Sequence, residues 1–263
     1  MDLGIAGKTA LITGGSKGIG AGAARVMAAE GCNLILVARG EEALEKTRAE
    51  IAAQFQVGVR IFAADLADSA QIAALVARHG EVDILVNNAG SVPGGSLFDL
   101  DEAAWRAGWD TKIFPYINMC RAYYPQMARR AVERGGVGVI INVLGIAAHL
   151  NDPNFICVGS GNMALEMFTQ ALGAKAWRDK MRVLGVSPGP VATERYLAQN
   201  PEAVAERTGK PMTGAKREMP FGRAASPEEL GAAIAFAASE RSAYTTGAII
   251  TVDGGSSVSK GAT

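Results

Sequence analysis

Histidine, cysteine and net charge are scarce in this chain of 263 residues. His79 and His149 are its only histidines, so a histidine-rich metal site is not expected. Cys32, Cys120 and Cys157 are an odd count without metal-ligand spacing, which favours buried thiols in a reducing cytoplasm. The 26 Lys plus Arg balance 26 Asp plus Glu, which removes the electrostatic case for nucleic acid or an anionic membrane. No apolar stretch is long enough to span a bilayer. The segment Met1–Gly7 lacks the charged and apolar regions of a secretory leader, so a cytoplasmic location is expected.

What is present is a regular alternation. Short apolar runs at Lys8–Thr13, Asn33–Ala38, Val59–Ala63, Val82–Val86, Val137–Val143, Arg182–Ser187 and Ala248–Val252 read as buried strands. Helical patterns separate them, at Gly18–Glu30, Glu41–Phe55, Ser69–His79, Asp101 to about Arg134, Gly159–Trp177 and Pro227–Ser239. Pro115 and Pro125 are expected to kink or break the longest of these. The alternation predicts one α/β domain over residues 1–263, an open parallel sheet covered on both faces. The polar stretch from about Thr193 to Met219 interrupts the rhythm and is a candidate lid.

The run Thr13-Gly14-Gly15-Ser16-Lys17-Gly18-Ile19-Gly20 follows the first strand and opens a helix. Glycines there permit a tight turn, and the helix N-terminus offers free N–H groups to a phosphate. The spacing alone would equally suit a strand–helix turn without a ligand. A NAD site usually carries an acid near the end of the second strand. Here Ala38 and then Arg39 stand in that place, and Lys17 lies inside the loop. Each cation alone would as readily be a solvated side chain, but the pair suits a 2′-phosphate, so NADP(H) is expected over NAD(H).

These residues resemble the short-chain dehydrogenase/reductase family over nearly the full length. Thr13–Gly20 is similar to its T-G-x-x-x-G-x-G loop, and Asp65-Leu66 to its adenine-contacting pair. Asn87-Asn88-Ala89-Gly90 matches its N-N-A-G motif. Pro188-Gly189-Pro190-Val191-Ala192-Thr193 resembles its P-G-x-V-x-T segment, which holds the nicotinamide amide. Gly247 and Asp253-Gly254-Gly255 resemble its last strand and turn. The resemblance implies a Rossmann-like doubly wound sheet of seven parallel strands. It also implies a homodimer or homotetramer packed through the helices at Asp101–Arg134 and Gly159–Trp177.

The family's acid–base residues are an Asn, a Ser, a Tyr and a Lys. Arg121-Ala122-Tyr123-Tyr124-Pro125-Gln126-Met127 matches the family's R-A-x-x-P-x-M and puts the Asn on Lys112. Ile140-Ile141-Asn142-Val143 puts the Ser on Gly145, and Met163-Ala164-Leu165 puts the Lys on Asn162 and the Tyr on Val158. Gly145 has no side chain to polarise a carbonyl, and Val158 has no proton to give. Positioned acid–base catalysis contributes roughly 10²–10⁴-fold, whereas positioning of reactants contributes about 7–11 kcal/mol. Reduction without the phenol is therefore slowed rather than excluded.

Lys112 and Asn162 read as an exchange of the family's Asn and Lys. Lys112 is expected to supply positive charge near ribose and nicotinamide, with Asn162 taking a ribose hydroxyl; the alternative is a snorkelling lysine and a filler amide. His149 is the first candidate for a replacement proton donor, ahead of Tyr116, Cys157 and Tyr196. The expected function is an oxidoreductase acting on a small or medium carbonyl or alcohol. The alternatives are a cofactor-binding sensor or scaffold without turnover, and a non-redox enzyme on the same frame.

Overall fold

A computed structural model describes residues 1–199 and 220–258. Seven strands form one parallel sheet: β1 Thr9–Thr13, β2 Asn33–Ala38, β3 Val59–Ala63, β4 Ile84–Asn87, β5 Gly138–Val143, β6 Met181–Pro188 and β7 Ile249–Val252. Their order is β3-β2-β1-β4-β5-β6-β7. The middle strands are apolar without alternation because helices cover both faces. Helices α1 Gly18–Ala29, α2 Glu41–Ala52 and α8 Pro227–Ala238 bury Met27, Leu44, Ile51, Leu230 and Ile234 against one face. Helices α3 Ser69–Arg78, α4 Glu102–Arg134 and α6 Ile156–Ala176 bury Leu75, Met119, Tyr123, Met127 and Ala176 against the other. Two short helices, α5 Ala147–Leu150 and α7 Glu194–Gln199, follow β5 and β6.

Helix ends carry the expected chemistry. Asp68 and Asp101 accept from Ala70 and Ala104 N–H groups at the starts of α3 and α4. Ser226 and Glu229 form a reciprocal capping box on α8, with Pro227 in its first turn. Gly135, at φ 67°, ends α4 in the left-handed conformation.

Of the two outcomes expected at Pro115 and Pro125 a break is ruled out: the long helical stretch expected from Asp101 to about Arg134 is one element, α4. Its burial against β4, β5 and α6 outweighs two missing helical hydrogen bonds. Pro115 has no N–H, so the carbonyl of Thr111 loses its usual donor four residues on. The sixth helix starts at Ile156 rather than Gly159, and His149 sits in the one-turn helix α5. The candidate lid at 193–219 is described only as far as α7; residues 200–219 lie outside the described residues. The three cysteines are free and buried. No helix of the described residues is long and apolar enough to cross a membrane.

Candidate active site

Strand order reverses between β1 and β4, which opens a crevice at their carboxyl ends. Three segments meet there. Thr13 Oγ accepts from the backbone N–H of Asn88 and of Ala89, at 2.8 and 3.0 Å, and donates to Val86 O at 3.3 Å. Asn88 Nδ2 donates back to Thr13 O at 3.0 Å. A Cβ on Gly20 would lie 2.2 Å from Gly14 O and 2.6 Å from Asn88 Nδ2, so only glycine lets the loop close. A Cβ on Gly18 would touch Thr193 Cγ2 at 3.0 Å, which brings the segment after β6 against the loop.

The cradle fits a dinucleotide. Lys17 caps α1 without a side-chain bond, so its first-turn N–H groups face the glycine loop. Ser16 is tied down through its carbonyl, which accepts from Thr47 Oγ at 3.0 Å, and Ile19 packs on the core. Arg39 is exposed at the end of β2. Lys17 Nζ lies 3.5 Å from the Glu194 carboxylate, an exposed pair. After β3, Asp65 is exposed and Leu66 buried. After β6, Ala192 N–H donates to Ala225 O and Ala225 N–H to Pro190 O, holding Val191 against the following segment. Gly189 packs on Asp253, where a Cβ would meet its Cα at 2.8 Å.

Beside this cradle, Lys112 and Asn162 meet. Lys112 Nζ donates to Asn162 Oδ1 at 2.9 Å and to Leu144 O at 3.1 Å. Asn162 Nδ2 donates to Val158 O at 3.0 Å, so both ends of the amide are engaged. A Cβ on Gly145 would lie 3.3 Å from Asn162 Nδ2, so glycine leaves this amide its room. The lysine is held from the other side by Gly90. There φ is 131°, and a Cβ would lie 2.8 Å from both Lys112 Cβ and Thr111 O. Burial pulls the Lys112 ammonium down to about 8, and the nearby Arg195 guanidinium adds to this. Tyr116, one turn on, turns its hydroxyl away to donate to Val143 O at 2.7 Å, leaving its ring 5.9 Å from Lys112 Nζ.

His149 takes another partner. Its Nε2 is 2.8 Å from Glu166 Oε2, the carboxylate side chain 6% exposed and the imidazole 49%. Glu166 Oε1 is buried with no hydrogen-bond partner among the described residues. The structure thus brings Lys112, Asn162 and the backbone of Gly145 and Val158 together, and sets His149 in a separate pair. Sequence reasoning passed over Glu166, although it stands four residues after Asn162 on the same helical face. It also missed Arg195 and the anchoring role of Thr13. Cys157 is buried, and burial raises its thiol. Below the site, Asn87 Nδ2 donates to Asn142 Oδ1, and Asn142 Nδ2 to Thr169 Oγ, both at 2.9 Å, which locks β4, β5 and α6 together.

A doubly wound parallel sheet with a glycine loop at its switch point defines a dinucleotide-binding α/β protein. Residues 14–257 match a family model described as enoyl-(acyl carrier protein) reductase. The chain is 34% identical over 260 residues to oxidoreductase UcpA of Salmonella typhimurium, covering 97% of this chain and 96% of that protein. A solved short chain dehydrogenase/reductase family protein superposes with a TM-score of 0.83 at 37% identity, over 98% of this chain and 99% of that one. L-sorbose reductase from Gluconobacter frateurii, solved with NADPH and L-sorbose, gives a TM-score of 0.85 at 31% identity, over 97% and 98%. The protein belongs to the short-chain dehydrogenase/reductase family.

Proposed function

We propose that the protein is an NADP(H)-dependent oxidoreductase that interconverts a small or medium carbonyl compound and its alcohol at a rebuilt centre, one lacking the family's Asn, Ser, Tyr and Lys. The observation that carries this reading is the contact between Lys112 Nζ and Asn162 Oδ1 beside the glycine cradle. Gly14, Ser16, Lys17, Gly18, Ile19 and Gly20 would hold the phosphates, and Asp65 and Leu66 the adenine. Asn88, Ala89 and Gly90 would line the ribose side. Pro188, Gly189, Val191 and Thr193 would hold the nicotinamide amide. Arg39 and Lys17 would take the 2′-phosphate, which favours NADP(H) over NAD(H). Lys17 must then give up Glu194, an exposed pair at 3.5 Å that is worth at most about 1 kcal/mol.

When bound, the cofactor supplies or accepts a hydride. Lys112 contributes positive charge beside the reacting centre, and Asn162 holds Lys112 and offers its amide to the ribose. His149 is a further proton-donor candidate, oriented by Glu166. The relative solved with NADPH and L-sorbose supports starting the substrate search among ketoses and polyols. Exposed Phe114 on α4 and Met163 and Met167 on α6 suit a homodimer or homotetramer formed through these helices. We place the protein in the cytoplasm.

The test is a fluorescence titration with NADPH and NADH, followed by NADPH oxidation across a carbonyl panel. Binding with turnover supports the reading. Binding without turnover favours a sensor or scaffold, a role consistent with the absence of any side-chain proton at Gly145 and Val158. No binding of either dinucleotide defeats both.

A further inference from the structure

We infer that Lys112 itself is the acid–base residue of this centre, its Nζ delivering a proton to the substrate oxygen in reduction and removing one in oxidation. The inference rests on the oxidoreductase reading above and names the group that does the proton transfer. Geometry selects it. The ammonium is held in one place by two acceptors, Asn162 Oδ1 at 2.9 Å and Leu144 O at 3.1 Å. An ammonium carries three protons, so one N–H stays available after these two bonds. Leu144 and Gly145 follow directly on β5, and Val158 opens the face of α6 that carries Asn162. The nitrogen therefore lies among the positions that the sequence register assigns to the missing Ser and Tyr. Gly145 and Val158 put no competing polar side chain there.

The surroundings make the proton mobile. Arg195 on α7 and the Tyr116 ring on α4 are the charged or titratable groups facing Lys112. From β5 and α6 come only a carbonyl and an amide. No carboxylate among the described residues pairs with it. A half-buried ammonium near another cation, with neutral acceptors, is lowered to about 8, within reach of general acid work. His149 is less suited: it is bonded to Glu166, and none of its contacts joins it to Lys112 or Asn162. Asn162 is then a positioning residue, aimed by its own bond to Val158 O.

The step balances. In reduction, hydride from the reduced nicotinamide dinucleotide adds to the carbonyl carbon, and the C=O π pair passes to oxygen. That oxygen forms an O–H bond with a proton from Lys112 Nζ. The neutral amine recovers its proton from water, leaving alcohol and oxidised dinucleotide.

Three measurements on the full-length protein test this. Competitive acetylation of the dinucleotide-free protein with acetic anhydride, read by mass spectrometry at Lys112 across pH, should give a midpoint near 8. A midpoint above about 10, the range of an ordinary lysine, would overturn the inference. Lys112→Ala should lower turnover about 10²-fold or more while NADPH still quenches protein fluorescence. Ethylamine or methylamine should then restore part of that turnover in proportion to its concentration. Full turnover in Lys112→Ala sinks the inference alone. A loss that no amine relieves reduces the lysine to a structural role and sinks it too. Absence of turnover in the unaltered protein removes the oxidoreductase reading and this one with it.

Discussion

Lys112 and Asn162 lie 50 positions apart in the chain and 2.9 Å apart in space, joined by a bond from ammonium to amide oxygen. Because the acceptor is neutral, nothing at this contact offsets the burial that lowers the lysine. Asn162→Asp puts a carboxylate at the same place. An opposite charge at this distance favours the ammonium by about 1–3 pH units. The pH at which carbonyl reduction falls off should move upward by that amount, with alcohol oxidation moving in step. An unchanged pH–rate profile would show that the amide does not touch the working form of the lysine.

Gly20→Ala addresses the cradle. Its new methyl would start 2.2 Å from Gly14 O, a distance that forces the loop open. NADPH affinity should fall tenfold or more, about 1.4 kcal/mol, with a smaller change in melting temperature. A fluorescence titration that matches the parent protein would mean the loop does not carry the phosphates.

Arg182 is a buried cation with no carboxylate partner among the described residues. It donates to the carbonyls of Ala237, Ala238, Ser239, Ser242 and Thr245 around the end of α8, and burial lowers it to about 10. The negative end of the helix dipole and these oxygens keep it charged. Arg182→Met removes this donor from Ala238 O and Thr245 O, while Ala237 O, Ser239 O and Ser242 O keep bonds from Ser242 and Thr245, and each buried orphan costs about 1–3 kcal/mol. Chemical denaturation should report a loss of about 3 kcal/mol; a loss below 1 would mean that water replaces the guanidinium.

His79 is buried edge-on to Phe62, and neither ring nitrogen has a hydrogen-bond partner among the described residues. Desolvation lowers its pKa, and the Arg60 and Arg78 charges lower it further. The unfolded chain therefore takes up a proton first as the pH falls. Stability is full above the ordinary histidine value of 6.5 and declines as the pH drops below it. His79→Phe should keep the fold and flatten this decline between pH 7 and 5. Denaturation midpoints for variant and parent that fall in parallel would rule the histidine out as the acid-sensitive group.

Much of the architecture was legible from residue order. Six of the seven strands lie within one residue of their expected limits at each end, and β4 starts two residues later than expected, because buried parallel strands are short apolar runs bounded by glycine or polar residues. The glycine loop and the Asn88 segment were legible because close backbone approach admits few residue types. The long helix α4 was legible as one stretch, but that its two prolines would not break it was not. A proline rule is local, and it was outweighed by the packing of Met119, Tyr123 and Met127 under the sheet. Glu166 was also hidden, since a single acid on a helix has the same appearance whether it faces water or a histidine from another element.

Sequence by itself determined the doubly wound frame, the place of the glycine loop and the absence of side-chain acid–base groups at Gly145 and Val158. These follow from residue type and spacing along the chain. Tertiary structure decided which of the remaining polar groups meet. It set Lys112 on Asn162 and Leu144 O, set His149 on Glu166, and half-buried the lysine near Arg195. Distance and desolvation between elements far apart in the chain are properties of the packed molecule, and they govern where a proton is held.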